Sequence, residues 1–329
     1  MLISDLKSHM KLKNTWIIIL LSLCSFNSSK TPDFVISCSG SVSDMLGVGQ
    51  QIYIATNKGT VDILNLKTGK ITGQIKLPLI KDFTGREIGP SIYSVDVLPG
   101  SQKVLITSQG DEGFSNLFSY DNGLLEYIIN SGKTKITIRE ARFVDKRTLL
   151  LALLSNELVL FDAERKKELY RKQVNTSSFS DMQMDESRSK VVLADESGVI
   201  HLVDINTGQI LKEFQGLNYD RVFKLDYKGH RIICGSQDRR VSVYHEMIDE
   251  SFFIELEWPV YVVSLSPDGK LGAFSIAENM GVTIFDILTH EQIFTLDTQG
   301  SSISSILFLS KYEIIAASED SKLFYWKLS

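Results

Sequence analysis

Short segments that alternate between hydrophobic and polar positions recur along the whole chain. Each segment alternates with a period of two, is rich in β-branched and aromatic residues, and ends in a polar residue before a turn, which is typical of a β-strand. The intervals between successive segment ends are 56, 41, 42, 41, 41 and 41 residues. The pattern predicts seven structural repeats with a period of about 41 residues. The segments end at Asn65, Asp121, Asp162, Asp204, His245, Asp286 and Lys327.

Each repeat contains the pattern of four strands. In the repeat that starts at Phe179, strands are expected around residues 182–184, 190–194, 199–203 and 209–214. A helical repeat would show a period of 3.6 residues instead. Four short strands every 40 to 45 residues are typical of the blades of a β-propeller.

The two ends of the chain predict how the ring closes. The seventh repeat, residues 303–328, has only three strands, and residues 33–37 supply the pattern of a fourth. Pairing them would remove an open sheet edge. The one long interval holds an insertion at residues 78–90, which we expect to be a loop without strands. The sequence therefore predicts an all-β fold, a seven-bladed β-propeller of four-stranded blades whose last blade is closed by an N-terminal strand.

The N-terminus has the pattern of an export signal. Lys11 and Lys13 precede an apolar run at residues 16–24, which is shorter than a comfortable membrane-spanning helix. Met10 is the better start, and cleavage is expected near Ser25, so that residues 1–25 form the signal peptide and residues 26–329 the propeller. An uncleaved anchor and a buried segment remain alternatives. Lipid attachment at Cys24 is less favoured, because Leu23 stands where a lipoprotein signal requires a small residue.

Composition narrows the function classes. The chain has 329 residues, 43% of them hydrophobic, a net charge of -5 and a pI of about 5.6. A large nucleic-acid interface requires a basic face, so nucleic acid is not expected as a partner. Cys38 and Cys234 are predicted to be buried free thiols, because they fall on distant blades.

No catalytic, cofactor or metal site is predicted. The five histidines lack the spacing of a zinc site, and His201 is expected to be a packed core residue. The chain has neither a Gly-x-Ser-x-Gly nucleophile turn nor a phosphate-binding glycine loop. One alternative is a propeller enzyme, such as a lactonase-like hydrolase with a metal in the central channel, because such enzymes collect their ligands from several blades. Another is a lipid-anchored envelope assembly factor, with the lipid at Cys24.

The predicted turns between the second and third strands of the blades are rich in acids. One interpretation is a negative ring that attracts a basic partner or gathers cations, and the other is ordinary solvated turns. Arg239 and Arg240 interrupt this ring. We expect them to pair internally, with Asp238 or with an acid of a neighbouring blade, and the alternative is that they bind a carboxylate or phosphate. The insertion at residues 78–90 is a second candidate surface. The acidic rim consists of Asp111, Glu112, Glu157, Asp195, Glu196, Asp238, Glu278, Glu319 and Asp320.

The repeat resembles a WD40-type unit. Tyr325, Trp326 and Lys327 occupy the place of that family's Trp-Asp pair. The other copies are degenerate and the Gly-His pair at the start of each unit is absent, so the resemblance does not carry over the Asp-His-Ser/Thr-Trp hydrogen-bond network.

A narrower resemblance links the chain to the accessory L component that ε-proteobacteria encode with periplasmic nitrate reductase. It implies a non-catalytic periplasmic scaffold that supports the reductase, in maturation or electron supply, through protein–protein contacts. Membrane attachment would then occur only through the N-terminal segment or a lipid. The segments that carry this resemblance are 141–145, 154–158, 178–181, 194–198, 237–240 and 265–271.

Overall fold

The computed structural model describes residues 29–276 and 281–328, together with the backbone of residues 18–19. Strands dominate these residues, and the element that is not a strand is one short 3-10 helix at Asp111–Gly113. Seven four-stranded antiparallel sheets form the blades of a propeller, as the sequence predicts.

The strands follow one another from the inside of each blade to the outside. Blade 1 consists of β3 (Val42–Val48), β4 (Gln51–Thr56), β5 (Thr60–Asn65) and β6 (Lys70–Lys76). Blade 2 consists of β9 (Ile92–Val97), β10 (Val104–Gln109), β11 (Ser115–Asp121) and β12 (Leu124–Ile129). Blade 3 consists of β13 (Ile138–Phe143), β14 (Thr148–Leu153), β15 (Glu157–Asp162) and β16 (Lys167–Gln173). Blade 4 consists of β17 (Phe179–Met184), β18 (Lys190–Asp195), β19 (Ile200–Asp204) and β20 (Ile210–Phe214).

The remaining blades repeat this order. Blade 5 consists of β21 (Val222–Lys228), β22 (Arg231–Ser236), β23 (Arg240–His245) and β24 (Ser251–Glu255). Blade 6 consists of β25 (Val260–Leu265), β26 (Leu271–Ile276), β27 (Gly281–Asp286) and β28 (Gln292–Asp297). Blade 7 consists of β29 (Ile303–Ser310), β30 (Glu313–Ser318), β31 (Lys322–Lys327) and the N-terminal strand β2 (Phe34–Ser37). Two further hairpin strands, β7 (Ile80–Lys81) and β8 (Glu87–Ile88), lie outside the blades. A short strand, β1 (Ile18–Ile19), pairs in parallel with β24 and extends the sheet of blade 5 to five strands.

The N-terminal strand closes the ring, which confirms the predicted closure. Strand β2 runs antiparallel to β31, with Phe34 opposite Tyr325, and the two rings stack with 4.3 Å between centroids. The Asp33 carboxylate accepts a hydrogen bond from the backbone N–H of Lys327 (2.7 Å). The indole N–H of Trp326, a fully buried side chain, donates to the carbonyl of Lys30 (3.1 Å). Blade 7 therefore gains its outer strand from the opposite end of the sequence.

The insertion differs from the predicted loop, because it contains the β7–β8 hairpin. The Asp82 carboxylate accepts hydrogen bonds from the backbone N–H groups of Thr84 and Arg86, which stabilises the turn. Ile80 is buried and anchors the hairpin, whereas Phe83 at its tip is fully exposed. A Cβ at Gly89 would lie 2.2 Å from the carbonyl oxygen of Lys58, so only glycine allows the hairpin to dock against blade 1.

Carboxylates on the inner strands tie consecutive blades together. In each case the side chain accepts a hydrogen bond from a backbone N–H of the next blade's inner strand. Buried carboxylates need such partners, because leaving the charge unsatisfied costs several kcal/mol. The acceptor and donor pairs are Asp44 with Val95 (3.0 Å), Asp96 with Phe143 (2.7 Å), Glu140 with Met182 (3.3 Å), Asp181 with Leu225 (2.8 Å) and Asp226 with Leu265 (2.8 Å).

Two inner-strand cations face three of these carboxylates. Arg142 lies 2.9 Å from Glu140 and 3.5 Å from Asp44, and Lys224 lies 2.7 Å from Asp181. Burial, together with the charge of Asp181, raises the pKa of Glu140 well above its usual range. Each named carboxylate of the inner ring therefore already has a hydrogen-bond partner, and three of them also face a cation.

Cys38 and Cys234 are not joined. Cys234 is fully buried, as predicted, whereas Cys38 is only partly buried. Burial and the nearby charge of Asp62 raise the pKa of the Cys38 thiol to about 12. A thiol with such a pKa is a poor nucleophile at neutral pH.

Candidate functional site

The antiparallel order of each blade places two kinds of connection at the same end of the ring. The turns between second and third strands and the loops between consecutive blades both emerge there, and we call this end the upper face. The acidic rim lies in these turns. Glu278, in the corresponding turn of blade 6, lies outside the described residues.

Asp195 belongs to the interior rather than to a free surface, because its side chain is fully buried. Its carboxylate accepts hydrogen bonds from the side-chain amides of Asn156 (2.9 Å) and Asn175 (2.8 Å) and from the backbone N–H of Ser197 (2.8 Å). His201, buried as predicted, lies 3.6 Å from the same carboxylate. Burial would raise the pKa of Asp195, but His201, Ser197 and Asn175 hold it below its usual value.

Two further rim aspartates brace the turns in which they lie. Asp238 accepts a hydrogen bond from the Ser236 hydroxyl and another from the backbone N–H of Tyr219 (2.7 Å). Asp320 accepts from the Ser318 hydroxyl and from the Ser301 hydroxyl (3.1 Å). In blades 4, 5 and 7 an aspartate therefore links the turn to the loop that arrives from the preceding blade. The chain thus builds a bracing network without the Gly-His and Trp-Asp pairs that the WD40 family uses for this purpose.

Cations outside the turns compensate most of the remaining rim charge. Two of these cations lie in inter-blade loops, one lies in the outer strand of blade 3, and one lies in the third strand of blade 7. Such exposed pairs contribute little to stability, but they weaken the field of the rim. The pairs are Glu112 with Lys135 (2.8 Å), Glu157 with Arg171 (3.2 Å), Glu196 with Arg221 (3.4 Å) and Asp320 with Lys322 (2.5 Å). The rim is therefore not a uniform negative ring, although Asp111 and Glu319 are exposed on it.

Arg240 packs against aromatic rings instead of forming the expected ion pair with Asp238. Its guanidinium lies 4.1 Å from the ring centroid of Phe253 and 4.6 Å from that of Tyr219. It also donates a hydrogen bond to the carbonyl of Leu217 (2.9 Å). Arg239 is exposed beside it, and its carbonyl accepts the backbone N–H of Leu256 (2.9 Å), which ties the turn to the next inter-blade loop.

A β-bulge occurs at the second residue of all seven inner strands. A bulge leaves one residue unpaired and redirects its side chain. None of these seven side chains is buried. Because the inner strands contact one another in ring order and start at the upper face, the bulges form a ring around its centre. The bulged residues are Ser43, Tyr93, Arg139, Ser180, Phe223, Tyr261 and Ser304.

Two bulged aromatic residues lie side by side on blades 5 and 6. The rings of Phe223 and Tyr261 stack with 4.9 Å between centroids. The guanidinium of Arg221 lies 5.6 Å from the Phe223 centroid. Trp258, in the loop between these blades, and Tyr261 are each 45% exposed, and Tyr219 is 69% exposed. These side chains expose a large aromatic surface to solvent.

We call this group the aromatic–arginine patch. Tyrosine, tryptophan and arginine are the residues that most often carry binding energy in protein interfaces, because they combine a large rigid surface with a polar group. The patch draws on two inter-blade loops, two bulges and one turn, so no single sequence motif encodes it. It consists of Tyr219, Arg221, Phe223, Arg239, Arg240, Trp258 and Tyr261.

The opposite, lower face carries a buried network around Glu246, which follows β23. Its carboxylate contacts the Lys190 ammonium, the Tyr227 hydroxyl and Nδ1 of His230 (2.8 Å). Burial would raise the pKa of Glu246, but these three partners lower it to about 2. The network joins blades 4 and 5 and has a structural role.

Replacement Glu246→Gln tests this network through its pH dependence. Because the pKa of Glu246 falls from 4.5 in the unfolded chain to about 2 in the folded protein, its stabilising effect is complete above pH 4.5 and disappears as the pH falls towards 2. We expect the variant to lose about 1–3 kcal/mol at pH 7 and to show a shallower decline of the thermal midpoint between pH 5 and pH 3. Parallel melting curves for the two proteins across this range would contradict the assignment.

The described residues contain no group of three or more His, Cys, Asp or Glu side chains arranged to hold a metal ion. The inner-strand carboxylates of Asp44, Glu140 and Asp181 accept hydrogen bonds from backbone N–H groups and face Arg142 or Lys224, so their oxygens are already engaged.

Within the described part of the chain, no helix is long and apolar enough to cross a membrane.

Similarity to known proteins lies in the fold. No protein-family model matches the chain, and no curated protein sequence matches it. Among solved structures, the β-propeller domain of Cps50 (Swd1) from Myceliophteria thermophila superimposes with a TM-score of 0.72 over 91% of this chain and 99% of that domain, at 14% identity. Such a likeness shows a β-propeller fold. The resemblance to the nitrate reductase accessory family receives no support from these matches.

Sequence analysis did not predict the bulged residues, although the spacing of apolar residues in the inner strands contains a signal for them. Each inner strand starts with two buried apolar residues three positions apart, such as Val222 and Leu225 or Val260 and Val263. A regular strand places residues on one face two positions apart. A spacing of three within a strand therefore indicates a bulge and an outward-directed residue between.

Proposed function

We propose that the chain is a non-catalytic protein-interaction scaffold that binds its partner through the aromatic–arginine patch. WD40-type propellers present rigid faces and generally bind proteins. The observation that carries the proposal is the exposure of Tyr219, Trp258 and Tyr261 next to three arginines on one side of the upper face. Exposed aromatic clusters on a soluble domain are typical of interaction sites.

The proposed binding surface is the patch and not the acidic rim. Asp195, Asp238 and Asp320 brace the fold, and Glu112, Glu157 and Glu196 have cationic neighbours. Exposed rim charges can still steer a partner during approach, since long-range fields change association rates more than affinities. The exposed Phe83 of the β7–β8 hairpin lies on the same face, near blade 1, and offers a separate contact point.

Affinity capture with a C-terminally tagged chain, expressed in its own organism, tests this proposal. Three proteins are compared: the unmodified chain, the double variant Trp258→Ala/Tyr261→Ala, and a rim variant with Glu112→Gln, Glu157→Gln and Glu319→Gln. We expect the first and third to retain the same partner and the double variant to lose it. Loss in the rim variant alone would return the contact to the acidic rim.

We also propose that the protein is exported and acts in the periplasm. The support is the charged and apolar pattern of residues 10–25, most of which lies outside the described residues. Mass analysis of the N-terminus of the mature protein, together with fractionation, tests this proposal. A chain that starts near residue 26 in the periplasmic fraction is expected, and an intact N-terminus in the cytoplasm would contradict it.

The finer context that we propose is support of periplasmic nitrate reductase, and it rests on the sequence segments alone. Recovery of reductase or maturation components in the capture experiment from nitrate-grown cells is the expected outcome. Recovery of an unrelated partner would refute this context and leave the scaffold proposal intact. Stoichiometric metal in the purified protein would favour the alternative of a propeller hydrolase.

A further inference from the structure

The outer strand of blade 5 differs from the outer strands of other blades. Strand β24 has the sequence Ser-Phe-Phe-Ile-Glu, and its three central residues are buried. Phe252 and Ile254 pack into the core layer between blades 5 and 6, and Phe253 packs into the layer between blades 4 and 5. By contrast, β16 contains three lysines or arginines and no buried residue.

These differences matter because an unprotected sheet edge recruits other strands. Lysine, proline and other charged residues normally discourage such pairing. Strand β16 carries this protection and β24 does not, since its only charged residue is the terminal Glu255. The backbone groups on the free side of β24 are therefore suited to receive another strand.

Strand β24 already receives one. Ile18 pairs with Phe253 and Ile19 with Ile254 in parallel orientation, which makes β1 a fifth strand of this blade. Lys30 forms a second parallel contact, with Leu296 on the outer strand of blade 6, through backbone hydrogen bonds of 2.8 and 2.9 Å to Thr295 and Asp297. The named pairs within the described blades are antiparallel, so these parallel contacts are additions to the ring and not part of its closure.

Apolar side chains surround this edge. The turn before β24 exposes Met247 (66%) and Ile248 (46%), and the neighbouring turn of blade 6 exposes Leu288 (66%). A groove of about 430 Å³ beside Leu288 is lined by Phe252, His245 and His290, and also by the charged residues Arg231, Asp249 and Glu250. An extended apolar segment that pairs with β24 would cover these side chains.

We propose that the outer edge of blade 5 is an acceptor site for an extended apolar β-strand in parallel orientation, and that the chain's own residues 16–24 are its occupant in cis. Main-chain hydrogen bonds supply the affinity for such a strand, and the flanking apolar side chains supply selectivity. The acceptor site does not depend on the export proposed above.

A synthetic peptide with the sequence of residues 11–20, whose two lysines keep it soluble, tests the site directly. Its binding to the full chain and to residues 29–329, which contain every strand of the seven blades, is measured by fluorescence anisotropy. We expect at least tenfold tighter binding to the shorter protein, because the full chain already fills its site. The matched control peptide carries Ile18→Pro and Ile19→Pro, which removes two backbone donors, and should bind at least tenfold more weakly.

Hydrogen exchange locates the contact. Peptide binding should slow exchange of the β24 amides and leave the edge amides of β16 unchanged. Equal binding by the proline peptide, equal binding to both protein lengths, or protection elsewhere would overturn the proposal. Self-association of residues 29–329 through β24 would also overturn it, since a second copy would then be the occupant. None of these results depends on the aromatic–arginine patch, and an uncleaved chain would refute export without affecting the peptide assay.

Discussion

Replacement of Asp181 by alanine is expected to cause the largest loss of stability among single substitutions on the inner ring. Asp181 is 1% exposed and accepts hydrogen bonds from the Lys224 ammonium (2.7 Å) and the Leu225 backbone N–H (2.8 Å). Its removal leaves a largely buried cation and a buried donor without their partner. Breaking such a pair costs about 3–5 kcal/mol, and the 27% exposure of the Lys224 side chain places the value towards the lower end.

Chemical denaturation of Asp181→Ala, Lys224→Met and the double variant checks this expectation. The double variant should lose less stability than the sum of the two single variants, because it removes the uncompensated charge. Additive losses would show that the pair does not act as a unit. The result bears on function, since the same inner strands carry the bulges that form the central ring of the upper face.

The second large effect that we expect is a loss of affinity for the partner when an aromatic residue of the patch is removed. Loss of a central aromatic residue from an interface typically costs about 2–4 kcal/mol, which corresponds to roughly 30- to 1000-fold in affinity. We therefore expect Trp258→Ala and Tyr261→Ala each to weaken binding of the captured partner within this range. Calorimetric titration of the purified partner measures the change.

A matched control uses an aromatic residue on the lower face. Tyr312 is 59% exposed in the turn between β29 and β30, at the opposite end of the ring. Tyr312→Ala should leave affinity unchanged, and all three variants should keep their thermal midpoints because the side chains are exposed. Equal weakening by Tyr312→Ala would place the contact outside the patch.

The architecture could be predicted because its signals are local and repeated. The period of 41 residues, the alternation within each strand and the three-stranded last repeat each follow from side-chain placement on pleated strands. The strands of the insertion could not be predicted in this way, because two-residue strands such as Ile80–Lys81 are too short to produce an alternating pattern. Their pairing depends on the turn at Asp82 and on docking against blade 1.

The candidate site could be predicted only in part. The acidic turns are visible in sequence, but their partners are not: Arg221 reaches Glu196 from the next inter-blade loop, and Asn156 reaches Asp195 from the preceding blade. The hypothesis that Arg240 pairs with an acid failed because aromatic rings from two other segments lie beneath its guanidinium. Contacts between blades are distant in sequence, so local patterns do not encode them.

Hydrogen-exchange footprinting of the complex with the captured partner shows most directly whether the aromatic–arginine patch is the binding surface. We expect the partner to slow exchange in residues 217–223, 237–240 and 256–261, the segments that build the patch. Exchange at the acidic turns of blades 2 and 3 and on the lower face should remain unchanged. Protection confined to residues 110–114 and 154–157, with no change at the patch, would refute binding at the patch and establish the acidic rim as the binding surface.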